Sequence, residues 1–317
     1  MLTTGFVFPG QGSQSRGMLA DLAGNYSQIT NTFAEVSERL GYDLWDLVQN
    51  GSENKLNQTE YTQAAMLTAD IAIFNIIQPY LNAPATVMAG HSLGEYAALV
   101  CAGAISLSDA AALVTKRGQL MQETVPLGMG SMAAIIGLSD EQVRELCSDA
   151  SSDTVTVTPA NYNAIGQVVI AGHTLAVEKA ITIALDNGAR MAKIIPVSVP
   201  CHCPLLKEAA DIFSDSLKNT EIKTPNIPVI SNVDLSIYNT PEQIRTLLKE
   251  QLYRPVRWVE TIQIMKKQGI DLAIECGPGK VLSGLIKRID RSLPAISIND
   301  QASLANFLVE HKGSLHD

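Results

Sequence analysis

Over the first 124 residues, short apolar runs alternate with longer stretches in which apolar positions recur at helical spacing. Thr4–Phe8 is a β-rich start that breaks at "PGQGSQ", and Ala85–Ala89 is apolar enough for a second strand. Residues 59–78 and 106–124 read as amphipathic helices. Leu93, Ala97, Leu99, Val100 and Cys101 supply another that stops at Gly103. This alternation predicts a parallel sheet covered by helices. From Gly130 the order changes. Strands at Met132–Ile136, Val155–Thr158, Gln167–Ala171 and Ala192–Val199 are interleaved with helices at Asp140–Cys147 and Leu175–Asn187. That β-α-β-β-α-β order is ferredoxin-like. The first pattern then resumes with a strand at Leu272–Cys276, a turn at Gly277–Gly279 and a helix from Val281. The expected fold class is therefore α/β: a discontinuous large parallel-sheet domain over 1–127 and 201–317, with a small ferredoxin-like α+β subdomain inserted over 128–200. The tail after Phe307 is polar and expected to fray.

Composition narrows the function classes. A chain of 317 residues with 46% hydrophobic and 17% charged residues can bury a full core. Its apolar runs are too short to span a membrane, and Met1–Phe8 lacks the basic start and long apolar core of a signal peptide. Five cysteines without regular spacing fit a reducing compartment, so a cytoplasmic location is expected. A net charge of −9 argues against nucleic acid as a partner.

Candidate chemistry starts at "AGHSLGEYAALV", residues 89–100, where Ser92 stands between Gly90 and Gly94 at a strand-to-helix junction. A sharp turn needs small neighbours, and this G-x-S-x-G spacing matches an elbow that exposes a nucleophilic hydroxyl where a helix begins. Free N–H groups at the helix start suit a developing oxyanion. The alternative is that Ser92 merely caps the helix.

A serine nucleophile needs a base, and each of the five histidines can be weighed in turn. His311 and His316 lie in the polar tail. His173, between a strand and a helix of the insert, reads as a solvent-facing turn residue, and His91 should point away from the neighbouring hydroxyl. His202, in "VPCHCPLL", stands in a loop restricted by Pro200 and Pro204, where the insert returns to the large domain; it is the best candidate. In α/β-hydrolases the histidine comes late, after an Asp or Glu. Here more than a hundred residues follow His202, so a Ser–His pair oriented by a neutral acceptor fits better than a hydrolase triad.

The segment "SLSDAAALVTKRGQLMQE" opens with Ser106 and Asp109 at capping-box-like spacing. Arg117 falls within the apolar stripe of Ala110, Leu113, Val114 and Met121, whereas Lys116 projects to one side. A guanidinium facing the core must be paired, and its fork suits a carboxylate. That carboxylate is either an internal Asp or Glu or the free acid of a substrate.

Together these residues resemble the malonyl-CoA:acyl carrier protein transacylase family. The resemblance runs through "FPGQGSQ" (8–14), "GHSLGEYAAL" (90–99), "KRGQLMQ" (116–122), "NYNAIGQVVIAG" (161–172), "VSVPCHC" (197–203), "QLYRPVRW" (251–258) and "GPGKVLSGL" (277–285). It implies an α/β-hydrolase-like large domain and ping-pong acyl transfer without a cofactor, with Ser92 as nucleophile and His202 as base. Arg117 would bind the malonyl carboxylate. Backbone N–H groups of Gln11 and Leu93 would form the oxyanion hole, and the main-chain carbonyl of Gln251 would orient His202. Asn161 and Asn163 match polar positions near the family's pocket. Cys201 stands where serine often precedes the histidine; Cys201–His202–Cys203 is a poor metal site because adjacent residues do not easily converge on one ion.

The implied partners are malonyl-CoA and an acidic acyl carrier protein, which a chain of net charge −9 must receive on a local basic surface. Lys287 and Arg288 end the helix after "GPGKVL", and Arg190 could line the other side of a cleft between the domains; the alternative is cations that only offset the helix dipole. Rival readings are an acyltransferase serving a polyketide synthase carrier, a serine hydrolase or thioesterase, and a docking subunit without turnover.

Overall fold

Phe6, Val7 and Phe8 are all fully buried, which makes their strand, β1 (Thr4–Phe8), one that is covered on both faces. In the computed structural model, which describes residues 3–81, 84–197 and 199–312 (310–312 as backbone alone), β1 is the middle of a five-stranded sheet. Its strands are β1, β2 (Val87–Gly90), β7 (Val229–Ile230), β8 (Leu272–Cys276) and β9 (Ala295–Ile298), in the order β7-β2-β1-β8-β9 and all parallel. Alternate side chains enter opposite layers. Phe6 and Phe8 join the larger core, where both rings meet Phe74 edge-on, while Val7 joins Val87, Ala89, Trp258 and Met265 on the other face.

Helices α1 to α4 (Ala20–Ala23, Ser27–Leu40, Leu44–Asn50, Glu53–Leu56) and α5 (Thr59–Ile77) lie between β1 and β2. The expected elements did not include α1 to α4, although α2 buries Ile29, Phe33 and Val36 at helical spacing. The expectation also misjudged α5, which is buried on nearly every face and not amphipathic. Helices α6 (Gly94–Cys101) and α7 (Leu107–Thr124) follow β2, with Ser106 accepting from Asp109 N–H as the cap of α7.

The second sheet comprises β3 (Gly130–Ile136), β4 (Val157–Ala164), β5 (Gln167–His173) and β6 (Met191–Ile195), antiparallel in the order β4-β5-β3-β6. With α8 (Asp140–Ala150) after β3 and α9 (Thr174–Asp186) after β5, it has the expected ferredoxin-like order. The expectation that the second strand ends at Thr158 is corrected. Pro159 is tolerated because β4 is an edge strand with irregular register around Pro159–Asn161, and its free edge pairs Asn161 with Val256 of the large part. One face of this sheet packs on α8 and α9; the other, with Met132, Val169 and Ala171, packs on Cys203.

The chain then forms α10 (Lys207–Asn219), α11 (Pro241–Gln251), α12 (Trp258–Lys267), α13 (Val281–Ile289) and α14 (Gln301–Lys312). α14 corrects the first part of the expected frayed tail: Leu308 is buried and the helix runs to Lys312, while 313–317 lie outside the described residues. His316 lies outside the described residues, as does the side chain of His311. Among the described residues no helix is long and apolar enough to cross a membrane.

Candidate active site

The loops after β1, β2, β7 and β8 leave the carboxyl ends of neighbouring parallel strands, where open α/β sheets build their sites. Gly90 and Gly94 let the chain turn there. A Cβ on Gly90 would fall 1.8 Å from the carbonyl carbon of Gly94, and one on Gly94 would fall 2.0 Å from the Phe8 carbonyl oxygen. Ser92, between them, sits at φ 54, a left-handed conformation that non-glycine residues rarely adopt and that costs on the order of 1–3 kcal/mol. Asn232, just beyond β7, fastens the turn: its Oδ1 accepts from Ser92 N–H at 2.7 Å and its Nδ2 donates to the Gly90 carbonyl at 2.7 Å. The capping alternative for Ser92 is overturned, because the first turn of α6 has no side-chain cap and the hydroxyl points elsewhere.

It points to His202. Ser92 Oγ lies 2.7 Å from His202 Nε2, and His202 Nδ1 lies 2.7 Å from the main-chain oxygen of Gln251. A carbonyl can only accept, so Nδ1 carries the proton and Nε2 is left to accept from the serine. Burial, and then the field of Arg117, lower the His202 pKa to about 3, so the ring is neutral at physiological pH and able to take a proton. His202 is itself at φ 59, and its N–H donates to the Leu252 carbonyl.

Arg117 is 2% exposed, and its guanidinium faces the same serine. Nη2 donates to Ser92 Oγ at 3.3 Å and to Gln251 Oε1 at 3.0 Å; Nη1 donates to Gln63 Oε1 at 2.8 Å. Nε is buried with no hydrogen-bond partner among the described residues. The internal salt bridge considered for Arg117 is absent: among the described residues no carboxylate comes within ion-pair distance. A cation surrounded by neutral oxygens keeps its charge uncompensated and could pair with a carboxylate.

Ser92, His202, Arg117, Gln11, Leu93, Asn161 and Asn163 line one cavity of about 530 Å³, with Met132, Val169 and Ile195 from the small sheet opposite. Gln251 lies behind it, fully buried, joined to His202 through its main chain and to Arg117 through its side chain. His91 turns from the hydroxyl, as expected, toward Asn163 Oδ1 at 2.8 Å and the Trp258 ring. His173 is not the free turn residue expected. It is half-buried within the second sheet, where its Nδ1 accepts from Thr156 N–H at 2.9 Å. Arg190 and Arg288 line a separate cleft with Ile136, Ile165, Gly166, Gln167 and Met191, and Arg288 donates to Gln167 Oε1 at 2.6 Å; Lys287 lies outside that lining. All five cysteines are free thiols, and among the described residues no group of three His, Cys, Asp or Glu side chains could hold a metal ion.

Sequence reasoning missed Gln63, Glu95, Asn232 and Tyr238. Their signal was a polar residue inside an apolar run, as at Gln63 in α5 and Glu95 in α6, where burial without a partner would be costly.

Residues 5–309 match the acyl transferase domain family. Malonyl CoA-acyl carrier protein transacylase of Escherichia coli K12 is 49% identical over 303 residues, covering 96% of this chain and 98% of that protein. The crystal structure of an acyl carrier protein S-malonyltransferase from Vibrio cholerae superposes with a TM-score of 0.94 at 52% identity, covering 96% of this chain and 99% of the other. A malonyl-transacylase in complex with a type II PKS acyl-carrier protein superposes with a TM-score of 0.95 at 49% identity, covering 97% and 99%. With the serine elbow, the buried arginine and this likeness over nearly its whole length, the chain belongs to the acyl transferase family, among the malonyl CoA-acyl carrier protein transacylases.

Proposed function

We propose that this enzyme is an acyl-carrier-protein S-malonyltransferase working through a malonyl-serine intermediate, in fatty acid biosynthesis. The observation that carries this reading is the buried, carboxylate-free guanidinium of Arg117 beside the Ser92–His202 pair. His202 Nε2 takes the Ser92 proton as Oγ attacks the malonyl thioester carbonyl. The N–H groups of Gln11 and Leu93 stabilise the oxyanion, the carbon–sulfur bond breaks, and coenzyme A leaves with the proton that His202 returns. The phosphopantetheine thiol of the carrier protein then gives up its proton to His202 and attacks the malonyl-serine ester; the ester C–O bond breaks and Ser92 Oγ takes the proton back from His202. Arg117 holds the malonyl carboxylate, with Asn161 and Asn163 on the polar wall of the cavity. Every group needed belongs to the chain or its substrates, so no cofactor is required.

An acidic carrier protein would dock over Arg190, Lys287 and Arg288, at the cleft between a large domain of residues 1–127 and 201–317 and an insert of 128–200. A cytoplasmic setting accords with five free thiols. The likeness to a transacylase bound to a type II PKS carrier keeps a second reading open, in which the same chemistry loads a polyketide carrier. Incubation with a panel of acyl-CoAs and intact-mass detection of the acyl-enzyme tests the proposal. Malonyl should load far ahead of acetyl, and equal loading of both would overturn it. Kinetics with purified carriers of each type would decide between the two pathways.

A further inference from the structure

Glu95, three residues beyond the nucleophile, is fully buried yet is not part of the cavity lining. Its Oε1 accepts from the Tyr238 hydroxyl at 2.6 Å and from Asn232 N–H at 3.2 Å, and its Oε2 accepts from the side-chain amide of Gln251. The same Gln251 nitrogen donates to the Ser92 carbonyl at 3.0 Å. Both donor positions of that amide are thus spent, and its oxygen is left facing Arg117 Nη2. A flipped amide would set NH2 against NH2. The guanidinium would then lose an acceptor, and Glu95 would lose a donor.

We propose that Glu95 is a positioning residue for acyl-group selection: by fixing the orientation of the Gln251 carboxamide, it holds the Arg117 fork open toward the acyl carboxylate. The inference rests on the reading of Arg117 as the partner of that carboxylate. A carboxylate bonded directly to Arg117 would compete with the substrate. Placed one amide away, Glu95 offsets the buried positive charge and leaves the fork to neutral oxygens. Its three partners all donate, which matches the ionised form. Burial outweighs the bonds from Tyr238, Gln251 and Asn232 and the charge of Arg117, all of which favour the carboxylate, and leaves the Glu95 carboxyl raised to about 7.

The test compares kcat/KM for malonyl-CoA and acetyl-CoA in Glu95→Gln, Gln251→Ala, the double variant and Arg117→Ala. A glutamine at 95 offers its own NH2 to Gln251 and favours the flipped amide. Glu95→Gln should therefore lower the malonyl-over-acetyl ratio about tenfold, and add less than about twofold once Gln251 is alanine, because the two act in series. Equal loss with both substrates would overturn the proposal, as would a full effect of Glu95→Gln in the Gln251→Ala background. If Arg117→Ala leaves the ratio unchanged, the underlying reading of Arg117 fails. If Arg117→Ala lowers it and Glu95→Gln does not, this inference alone fails. Should Glu95→Gln not fold, Tyr238→Phe, which removes one of the three donors, should lower the ratio by about threefold, and an unchanged ratio would be decisive against it.

Discussion

Arg117 Nη2 stands 3.3 Å from Ser92 Oγ, so the cation that would grip an acyl carboxylate also touches the atom that would be acylated. Selection and attack would therefore share one geometry. Arg117→Ala should lose malonyl transfer by a factor of about thirty to a thousand, the equivalent of roughly 2–4 kcal/mol for a charge-assisted pair in a partly dry pocket. Acetyl transfer, which presents no carboxylate, should be largely spared. Steady-state kinetics with both substrates measure the difference, and equal damage with an intact fold would assign Arg117 a structural role.

Ser92→Ala should abolish the acyl-enzyme, because among the described residues lining the cavity no other nucleophile has a base in reach. Cys201 lines the same space, but burial pushes its thiol up to about 11, leaving it protonated at neutral pH. Peptide mapping after a malonyl-CoA pulse should place the label on Ser92; a label on Cys201 would reverse the assignment.

As the proposed base, His202 would couple catalysis to acid stability. Its folded pKa of about 3 lies below the ordinary 6.5, so its contribution is full above pH 6.5 and is lost as pH falls, when the unfolded chain takes up a proton that the folded one refuses. The loss by pH 3 is on the order of 4 kcal/mol. Thermal unfolding of His202→Gln should decline less than wild type between pH 6.5 and pH 4, and parallel declines would show that the buried ring does not resist protonation.

Asp70 has the opposite sign. Both its oxygens are buried in α5 with no hydrogen-bond partner among the described residues, and burial, reinforced by Glu275, holds its carboxyl well above the ordinary 3.8. A Cβ on Gly277 would fall 2.3 Å from Asp70 Oδ1 and 2.4 Å from Pro9, so this acid packs beneath the loop that carries Gln11. Its stabilising share is present below pH 3.8 and lost as pH rises toward its folded value. Asp70→Asn should match wild type near pH 4 and exceed it by a Tm margin that widens toward neutrality. A margin independent of pH would refute this account.

Reversal of Lys287 and Arg288 to Glu should slow transfer to an acyl carrier protein mainly through association, with the larger effect at low salt. Transfer to free pantetheine, which needs no docking surface, should stay near wild type. If both acceptors slow alike, the cleft lined by Arg190 and Arg288 is not the docking surface.

Local pattern determined a good deal by itself. Strand β1 and strand β8 fall where period and burial put them, and the ferredoxin-like order follows from six short segments. Ser92 was legible because a sharp strand-to-helix turn requires its two glycines. Arg117 was legible because one cation stood on an apolar stripe. These are properties of neighbours in the chain, where spacing fixes direction. Helix α2 carries the same kind of signal, with Ile29, Thr32, Phe33 and Val36 at helical spacing, yet was not among the expected elements, whereas the burial of α5 on all sides depends on which elements surround it.

Only the tertiary structure decided the rest. The left-handed backbone of Ser92 and His202 and the absence of a carboxylate on Arg117 depend on segments far apart in the chain, and the Gln251 carbonyl was expected as His202's acceptor only through the family resemblance, not from local pattern. The Gln251 amide acquires its direction from Glu95 and the Ser92 carbonyl, more than 150 positions away. A hydrogen bond is fixed by distance and angle between atoms, and periodicity along one segment carries no information about an atom supplied by another.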